Sequence, residues 1–252
     1  MDNSLIMRYK ITVQYIGTAY SGWQSQKNGV SVQDVLQDAL SRVFGEPIKV
    51  TGSGRTDEGV HALAQVAHFD TTKEIRPYNL CRGVNVFLPS DIAVTDASVV
   101  SDEFNARKSA KQKTYVYKMY VSPIRMPFLD IDHKQIFKQP DIAAMQKGAA
   151  FIEGKHDFKC FMSTGSNQKT TVREVYSCTV TQSRNQIFIT VTGNAFLYNM
   201  VRTIAGTLLF VGTGKLQPTD VKDIIESGDR HKAGKTLSPN GLTLLSVEYT
   251  EK

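Results

Sequence analysis

The chain contains 252 residues, 41% of them hydrophobic, which is enough for two ordinary domains or for one large domain with a real core. Its 30 lysines and arginines outnumber its 24 aspartates and glutamates, and the net charge of +6 favours a polyanionic partner only mildly over an ordinary solvated surface. The three cysteines form no C-x-x-C pair, which argues against a disulfide scaffold or a zinc site and favours a reducing, cytoplasmic compartment.

No membrane segment is expected. Residues 1–7 contain no apolar signal core after a basic region. The most apolar stretch, residues 195–211, includes Asn199 and Arg202, so a buried helix is the better interpretation.

The first half of the sequence alternates between strand and helix patterns. Residues 9–15 alternate as a strand does, and the apolar residues of 32–43 recur at helical spacing between a Ser31 cap and a stop at Gly45. The other elements predicted here are, in order, strands at 47–52 and 64–70, a helix from Pro77 to about Leu88 and a strand at 92–100. The order β-α-β-β-α-β predicts a ferredoxin-like unit.

The second half is predicted to repeat that order with additions. Its elements are, in order, a strand at 114–121, a helix from Pro140 to about Ile152, a hairpin of 172–182 and 186–193, helices at 195–211 and 218–227 and a strand at 244–249. Residues 122–139 and 154–171 are predicted loops whose length is typical of functional or mobile segments. A boundary near Arg107 gives two α/β domains, 1–107 and 108–252.

The loop Gly52–Ala62, between two predicted strands, has three glycines within eight residues, which permits a tight turn that a ligand can approach closely. Arg55 and Asp57 would place a cation beside a reactive carboxylate, although the composition also suits an ordinary turn. Two nearby histidines could act as bases, but we expect His61 to anchor the loop and His68 to lie on the strand surface.

A basic segment crosses the predicted boundary. Residues 107–118 contain five cations and no acid, with tyrosines interleaved, a mixture that suits RNA phosphates and bases. The candidate RNA-binding residues in it are Arg107, Lys108, Lys111 and Lys113.

The loop sequence GSGRTDEGVHALAQVAHFD closely resembles the signature of the TruA-type tRNA pseudouridine synthases, G-x-GRTD-x-GVHA. Motifs similar to others of that family follow its order along nearly the whole chain. They lie at 15–18, 22–26, 31–33, 85–92, 104–107, 195–202 and 241–244.

The resemblance implies an α+β fold of two ferredoxin-like β-α-β-β-α-β halves, with mainly antiparallel sheets and a central basic cleft. It implies an isomerase that flips uridines 38–40 of the tRNA anticodon stem-loop out of the stack and converts them to pseudouridine. It further implies a homodimer that needs neither a cofactor nor a metal.

The resemblance also assigns site residues. Asp57 matches the catalytic nucleophile, Arg202 the arginine that pairs with it, and Arg55 the arginine that contacts the backbone of the target nucleotide. Tyr115 matches the tyrosine that stacks on the target uracil, and Leu244 an apolar residue that lines the pocket. Simpler interpretations are a surface arginine for Arg202, a plain phosphate contact for Arg55, and core packing for Tyr115 and Leu244.

Four positions depart from the family pattern. Glu58 stands where alanine is usual and adds a second carboxylate beside Asp57, while Asn105 replaces a histidine, Lys113 replaces an arginine and Asn240 stands near a usual alanine.

Two other classes of function compete with this one. A non-catalytic RNA-binding protein on the same scaffold would not need the set Asp57, Tyr115 and Arg202. A nucleotide-binding enzyme would need a phosphate loop, and residues 212–215 lack the spacing G-x-x-x-x-G-K-[ST].

Overall fold

The computed structural model describes residues 6–165 and 168–250. Residues 1–5 of the segment considered for a signal, residues 166–167 of the predicted loop 154–171, and the last two residues of the predicted second domain lie outside the described residues.

The chain divides into two compact units. The first contains the chain up to Lys111 together with the segment from Leu244 onward, and the second is Gln112–Thr243. The domains proposed from sequence differ from these units mainly in the last strand, which returns to the sheet of the first unit.

The described residues form ten strands and six α-helices, besides short 3-10 turns. The strands are β1 (Met7–Tyr15), β2 (Thr51–Gly52), β3 (His61–Thr71), β4 (Ile92–Val100), β5 (Ala110–Val121), β6 (Lys134–Ile136), β7 (Gly154–Asp157), β8 (Val172–Ser183), β9 (Gln186–Gly193) and β10 (Leu242–Tyr249). The helices are α1 (Val32–Phe44), α2 (Pro77–Phe87), α3 (Pro127–Asp130), α4 (Ile142–Ala150), α5 (Met200–Gly212) and α6 (Asp220–Ser227).

In the first unit the strand order is β4-β1-β3-β10, with β2 paired to β3. β1 is antiparallel to both of its neighbours. α1 packs against α2, and α2 packs against β4. Between helices and sheet the rings of Tyr9 and Phe69 stack with centroids 5.5 Å apart, and Phe44 meets Phe69 edge-on at 5.5 Å. This core fixes the sheet from which the glycine-rich loop projects.

The second unit has the strand order β5-β9-β8-β7, with β6 parallel to β5. β8 and β9 form an antiparallel hairpin, and β5 is antiparallel to β9. α4 packs on both β8 and α5. α5 is almost entirely apolar, and its side chains are buried over most of its length. The sheet and α5 therefore give rigid supports to Tyr115 and Arg202.

The structure confirms a mixed α+β class with mainly antiparallel pairing, and the first unit has the predicted order β-α-β-β-α-β. Two local predictions for α1 are also confirmed. Ser31 caps the helix by accepting the Asp34 N–H at 3.1 Å, and Gly45 ends it with φ 62°.

Several predicted boundaries were wrong. The strand expected at 47–52 is reduced to β2, because only Thr51 and Gly52 pair with β3, although Ile48 and Val50 are buried. The helix expected at 195–211 begins at Met200, because the backbone of Asn199 is left-handed, with φ 60°.

The two predicted loops also contain structure. The stretch 122–139 holds α3 and β6, and the stretch 154–171 holds β7 and a 3-10 turn at Phe158–Phe161. Over the described parts of the chain, no helix is both long and apolar enough to cross a membrane.

Candidate active site

The beginning of the glycine-rich loop is fixed to β3 by three hydrogen bonds. The Ser53 N–H donates to the Val66 carbonyl at 2.7 Å, and the Ser53 hydroxyl donates to Gln65 Oε1 at 2.6 Å. The amide of Gln65 in turn donates to the Gly54 carbonyl at 3.1 Å. Ser53 and Gln65 are both buried, so these bonds form away from water and hold the loop backbone firmly.

The end of β1 and the segment that follows it hold the other side of the loop. Thr56 Oγ1 and the Tyr15 hydroxyl lie 2.8 Å apart, and the Thr56 carbonyl accepts the Trp23 N–H at 3.1 Å. His61 Nδ1 accepts the Gly17 N–H at 3.0 Å, so His61 anchors the loop as the sequence predicted. The first motifs of the chain therefore support the loop that carries Asp57.

Close packing leaves little freedom around Asp57. The Asp57 carbonyl accepts the Val60 N–H at 3.1 Å, and the intervening turn passes through Gly59, whose φ of 76° suits glycine. A Cβ on Gly17 would lie only 2.0 Å from the Val60 carbonyl oxygen. Asp57 is half-buried on this turn, and its neighbour Glu58 is exposed. The loop thus presents one partly shielded carboxylate from a fixed backbone.

A pocket of about 130 Å³ lies beside the loop within the first unit. Its lining includes Trp23, Gln24, Gly52 and two arginines, Arg55 and Arg107. Both arginines are exposed, and Arg55 Nε donates to Gln24 Oε1 at 3.3 Å. Two guanidinium groups at one pocket suit an anionic ligand such as a nucleotide phosphate. The sequence analysis gave Gln24 no role, although Gln24 lies in the family-like motif at 22–26.

A short turn holds Arg107 at this pocket. Asn105 Oδ1 accepts the backbone N–H groups of Arg107 at 3.1 Å and Lys108 at 3.0 Å. The hydroxyl of Tyr249 donates to the Ala106 carbonyl at 2.8 Å. The asparagine that departs from the family pattern therefore has a local function, because it fixes the backbone that bears two cations.

His68 is buried, with 6% of its surface exposed, so the prediction that it lies on the strand surface was wrong. The reason is a hydrogen bond that no local pattern reveals: His68 Nδ1 accepts the Ala106 N–H at 3.1 Å. Burial lowers the pKa of His68, and the nearby Arg8 lowers it further, against an opposing effect of Asp70. The imidazole is thereby kept neutral, which this hydrogen bond requires.

Arg202 is in the first turn of α5, in the second unit. Its Nε donates to the Leu237 carbonyl at 2.7 Å, and its Nη1 donates to Asn199 Oδ1 at 2.5 Å. The side chain is half-buried rather than extended into solvent. Two hydrogen bonds to one planar guanidinium set its orientation.

Tyr115 lies on β5 opposite Val191, with 8% of its surface exposed. The edge of its ring meets Phe196 at a centroid distance of 5.2 Å and an interplanar angle of 82°. Two positions along the strand, Tyr117 is fully buried and donates its hydroxyl to the Ser238 carbonyl at 2.8 Å. Tyr117 thus behaves as a core residue, while Tyr115 keeps a small exposed area.

The remaining candidates divide between the units. In the first unit Leu244 is buried on β10, and Lys108 and Lys111 are exposed. In the second unit Lys113 is half-buried on β5. Asn240, which also departs from the family pattern, donates to the His133 carbonyl at 2.8 Å and so joins two segments of the second unit. No cluster of three or more potential metal ligands occurs among the residues described.

A family model described as tRNA pseudouridine synthase matches residues 11–107 and 149–250, which include the loop of Asp57 and the helix of Arg202. The chain therefore belongs to the tRNA pseudouridine synthase family, as its loop motif predicted.

Three relatives match between 95% and 97% of the chain. It is similar to tRNA pseudouridine synthase A of Ruminiclostridium cellulolyticum, with 45% identity over 96% of this chain and 99% of that protein. The protein of the same name from Caldicellulosiruptor saccharolyticus is 46% identical over 95% of this chain and 98% of its own length. The protein of the same name from Herminiimonas arsenicoxydans is 42% identical over 97% of this chain and 90% of its own length.

Proposed function

We propose that this tRNA pseudouridine synthase isomerises uridines in the anticodon arm of tRNA, at tRNA positions 38–40, with Asp57 as its nucleophile. The observation that carries the proposal is the fixed loop. Asp57 is the half-buried carboxylate of a turn held by β3 on one side and, on the other, by the end of β1 and the segment after it. Such a fixed position lowers the cost of bringing a nucleophile to its target.

The reaction conserves the atoms of the nucleotide. The bond between uracil N1 and ribose C1′ breaks, the base turns, and a bond forms between C5 and C1′. The proton on C5 is released, and the freed N1 takes up a proton in its place. The Asp57 carboxylate forms a temporary covalent bond, at either the ribose or the ring, and leaves when the new bond forms. These steps need neither an oxidant nor a reductant.

The other site residues would prepare this step. Arg202 would pair with Asp57 and keep it ionised, because an opposite charge favours the charged form of a carboxyl group. Tyr115 would stack on the extruded uracil, and Leu244 would line its pocket. Arg55 would hold the backbone of the flipped nucleotide, since a stacked base does not expose its glycosidic bond.

The cations Arg107, Lys108, Lys111 and Lys113 would bind the tRNA backbone through its phosphates. We further propose a homodimer, on the family resemblance alone, and sedimentation equilibrium showing a monomer at micromolar concentration would contradict it. A cytoplasmic location suits the three cysteines, which are all free.

A non-catalytic RNA-binding role is the weaker candidate. RNA binding alone gives no reason to hold one carboxylate in a closely packed turn, and membership of an enzyme family argues the same way.

The test compares the two arginines. If Arg202 keeps Asp57 ionised, Arg202→Met should lower the single-turnover rate and move the acid limb of the rate profile to higher pH. Arg55→Met should weaken productive binding and leave that pH dependence unchanged. Both variants are measured on one tRNA transcript. A profile displaced by Arg55→Met and not by Arg202→Met would show that the two roles are assigned the wrong way round.

A further inference from the structure

Asn199 directly precedes α5, and its side chain is used in an unusual way. Asparagine at this place commonly caps a helix by accepting an N–H of the first turn, yet Asn199 makes no such bond. Its Oδ1 instead accepts from Arg202 Nη1 at 2.5 Å, and its Nδ2 donates to Ser163 Oγ at 3.0 Å. The side chain therefore bonds to Arg202 and Ser163 rather than to the N–H groups at the helix end.

The backbone of Asn199 makes this hydrogen bond possible. Its φ of 60° is in the left-handed region, which asparagine tolerates better than most residues. The Asn199 carbonyl still accepts the Thr203 N–H at 3.0 Å, so the helix starts normally while the side chain turns away from its axis. The amide then lies one helical turn before Arg202, where side chains at i and i+3 meet.

Two neighbours complete the arrangement. Ser163 engages the nitrogen of the Asn199 amide, which leaves the oxygen as the edge that faces Arg202. Ser163 is itself fixed, because its N–H donates to the Tyr198 carbonyl at 3.2 Å. Leu237 binds the Nε edge of the guanidinium. With two donors of a planar, rigid group held in place, the directions of its other N–H groups are also fixed.

We propose that Asn199 is a positioning residue for the isomerisation. The hydrogen-bonded chain Ser163–Asn199–Arg202 orients the guanidinium so that it can pair with Asp57. The inference rests on the proposed function, because it assumes that Arg202 acts in catalysis. Asn199 is not expected to touch the substrate or the reacting carboxylate, and it acts only through Arg202.

The test uses Asn199→Gly, because glycine adopts the left-handed backbone freely and removes only the side chain. We expect kcat to fall by about 10- to 100-fold, as for a catalytic group displaced by part of an ångström. The acid limb of the rate profile should move to higher pH, and the Kd for tRNA should stay near the wild-type value. Ser163→Ala should shift both kcat and the acid limb in the same direction by a smaller amount.

Arg184→Gly is the matched control, since Arg184 also has a left-handed backbone, with φ 53°, and lies in the turn between β8 and β9. It should leave the pH profile in place. Adding Asn199→Gly to Arg202→Met should cause no further loss of rate, because residues that act as one unit are not additive.

The outcomes separate the inference from the proposed function. If Arg202→Met is impaired but Asn199→Gly keeps the wild-type rate and profile, the positioning role is overturned and the proposed function stands. If Asn199→Gly lowers the rate further in the Arg202→Met background, Asn199 acts by another route and the inference is equally overturned. If Arg202→Met itself behaves as wild type, it is the catalytic role of Arg202 that fails. Should Asn199→Gly not fold, the pH profile of Ser163→Ala decides.

Discussion

Gly17→Ala tests whether packing against the segment after β1 sets the position of Asp57. Gly17 takes no part in the chemistry, and its backbone φ lies outside the left-handed region, so alanine brings no backbone strain. The added Cβ, however, would be 2.0 Å from the Val60 carbonyl oxygen and 2.7 Å from the carbonyl carbon. Real Cβ atoms essentially never come within 3.0 Å of such atoms, so the two segments must separate by about 1 Å.

That displacement is transmitted to the carboxylate. Val60 N–H donates to the Asp57 carbonyl, and both groups belong to one tight turn. A displacement of about 1 Å in a catalytic group can cost about 100-fold in rate, or about 2.7 kcal/mol of transition-state stabilisation. Forcing extra volume into a packed site should also lower the free energy of unfolding by about 1–3 kcal/mol.

Gly83→Ala is the matched control. Gly83 lies within α2, and its added Cβ would be 3.8 Å from the methyl groups of Val43, an ordinary van der Waals distance. Alanine in a helix interior should stabilise the protein by up to about 1 kcal/mol and leave the rate unchanged. Both variants are assayed by tritium release from tRNA labelled at uracil C5, with tRNA affinity and the melting temperature measured in parallel. A Gly17→Ala enzyme with wild-type kcat and an undiminished melting temperature would refute the reasoning.

Two further predictions concern RNA binding and pH. Replacing Lys108 and Lys111 by alanine should reduce the slope of log affinity against log salt by about 0.7–0.9 for each phosphate that the variant no longer neutralises. An unchanged slope in salt titrations would show that these two lysines do not bind the tRNA backbone. Folding lowers the pKa of His68 below its ordinary 6.5. The free energy of unfolding therefore loses nothing to the protonation of His68 above that pH, and it declines as the pH falls toward the folded pKa. Urea unfolding at pH 7.5 and 5.5 measures this, and His68→Asn, which keeps an acceptor but does not titrate, should lose less stability between the two values. Equal losses in both proteins would show that His68 does not cause the decline.

The sequence carried enough local information for much of this structure. Alternation and helical spacing predicted the order of elements in the first unit, and the Ser31 and Gly45 signals were read correctly, because capping depends on neighbouring residues. The glycine-rich loop was recognisable because its composition and its motif lie within one stretch of chain.

Interactions between distant segments account for what was missed. His68 was placed on the surface because the strand pattern contains no sign of Ala106, with which it bonds across 38 positions. β2 was predicted too long because apolar residues also pack from irregular chain. Nothing near Asn199 in sequence indicates Ser163, so the support of Arg202 became visible only in three dimensions.

The central claim is that Asp57 is the nucleophile, and one single-turnover experiment tests it most directly. Asp57→Asn keeps the size of the side chain and removes its charge, and Glu58→Gln makes the same change at the exposed neighbouring carboxylate. With tRNA labelled with tritium at uracil C5, Asp57→Asn should lose about 10³-fold or more in rate while binding tRNA within a few-fold of the wild type. Glu58→Gln should stay close to the wild-type rate. Tritium release by Asp57→Asn near the wild-type rate, or a comparable loss in Glu58→Gln alone, would contradict the assignment of Asp57.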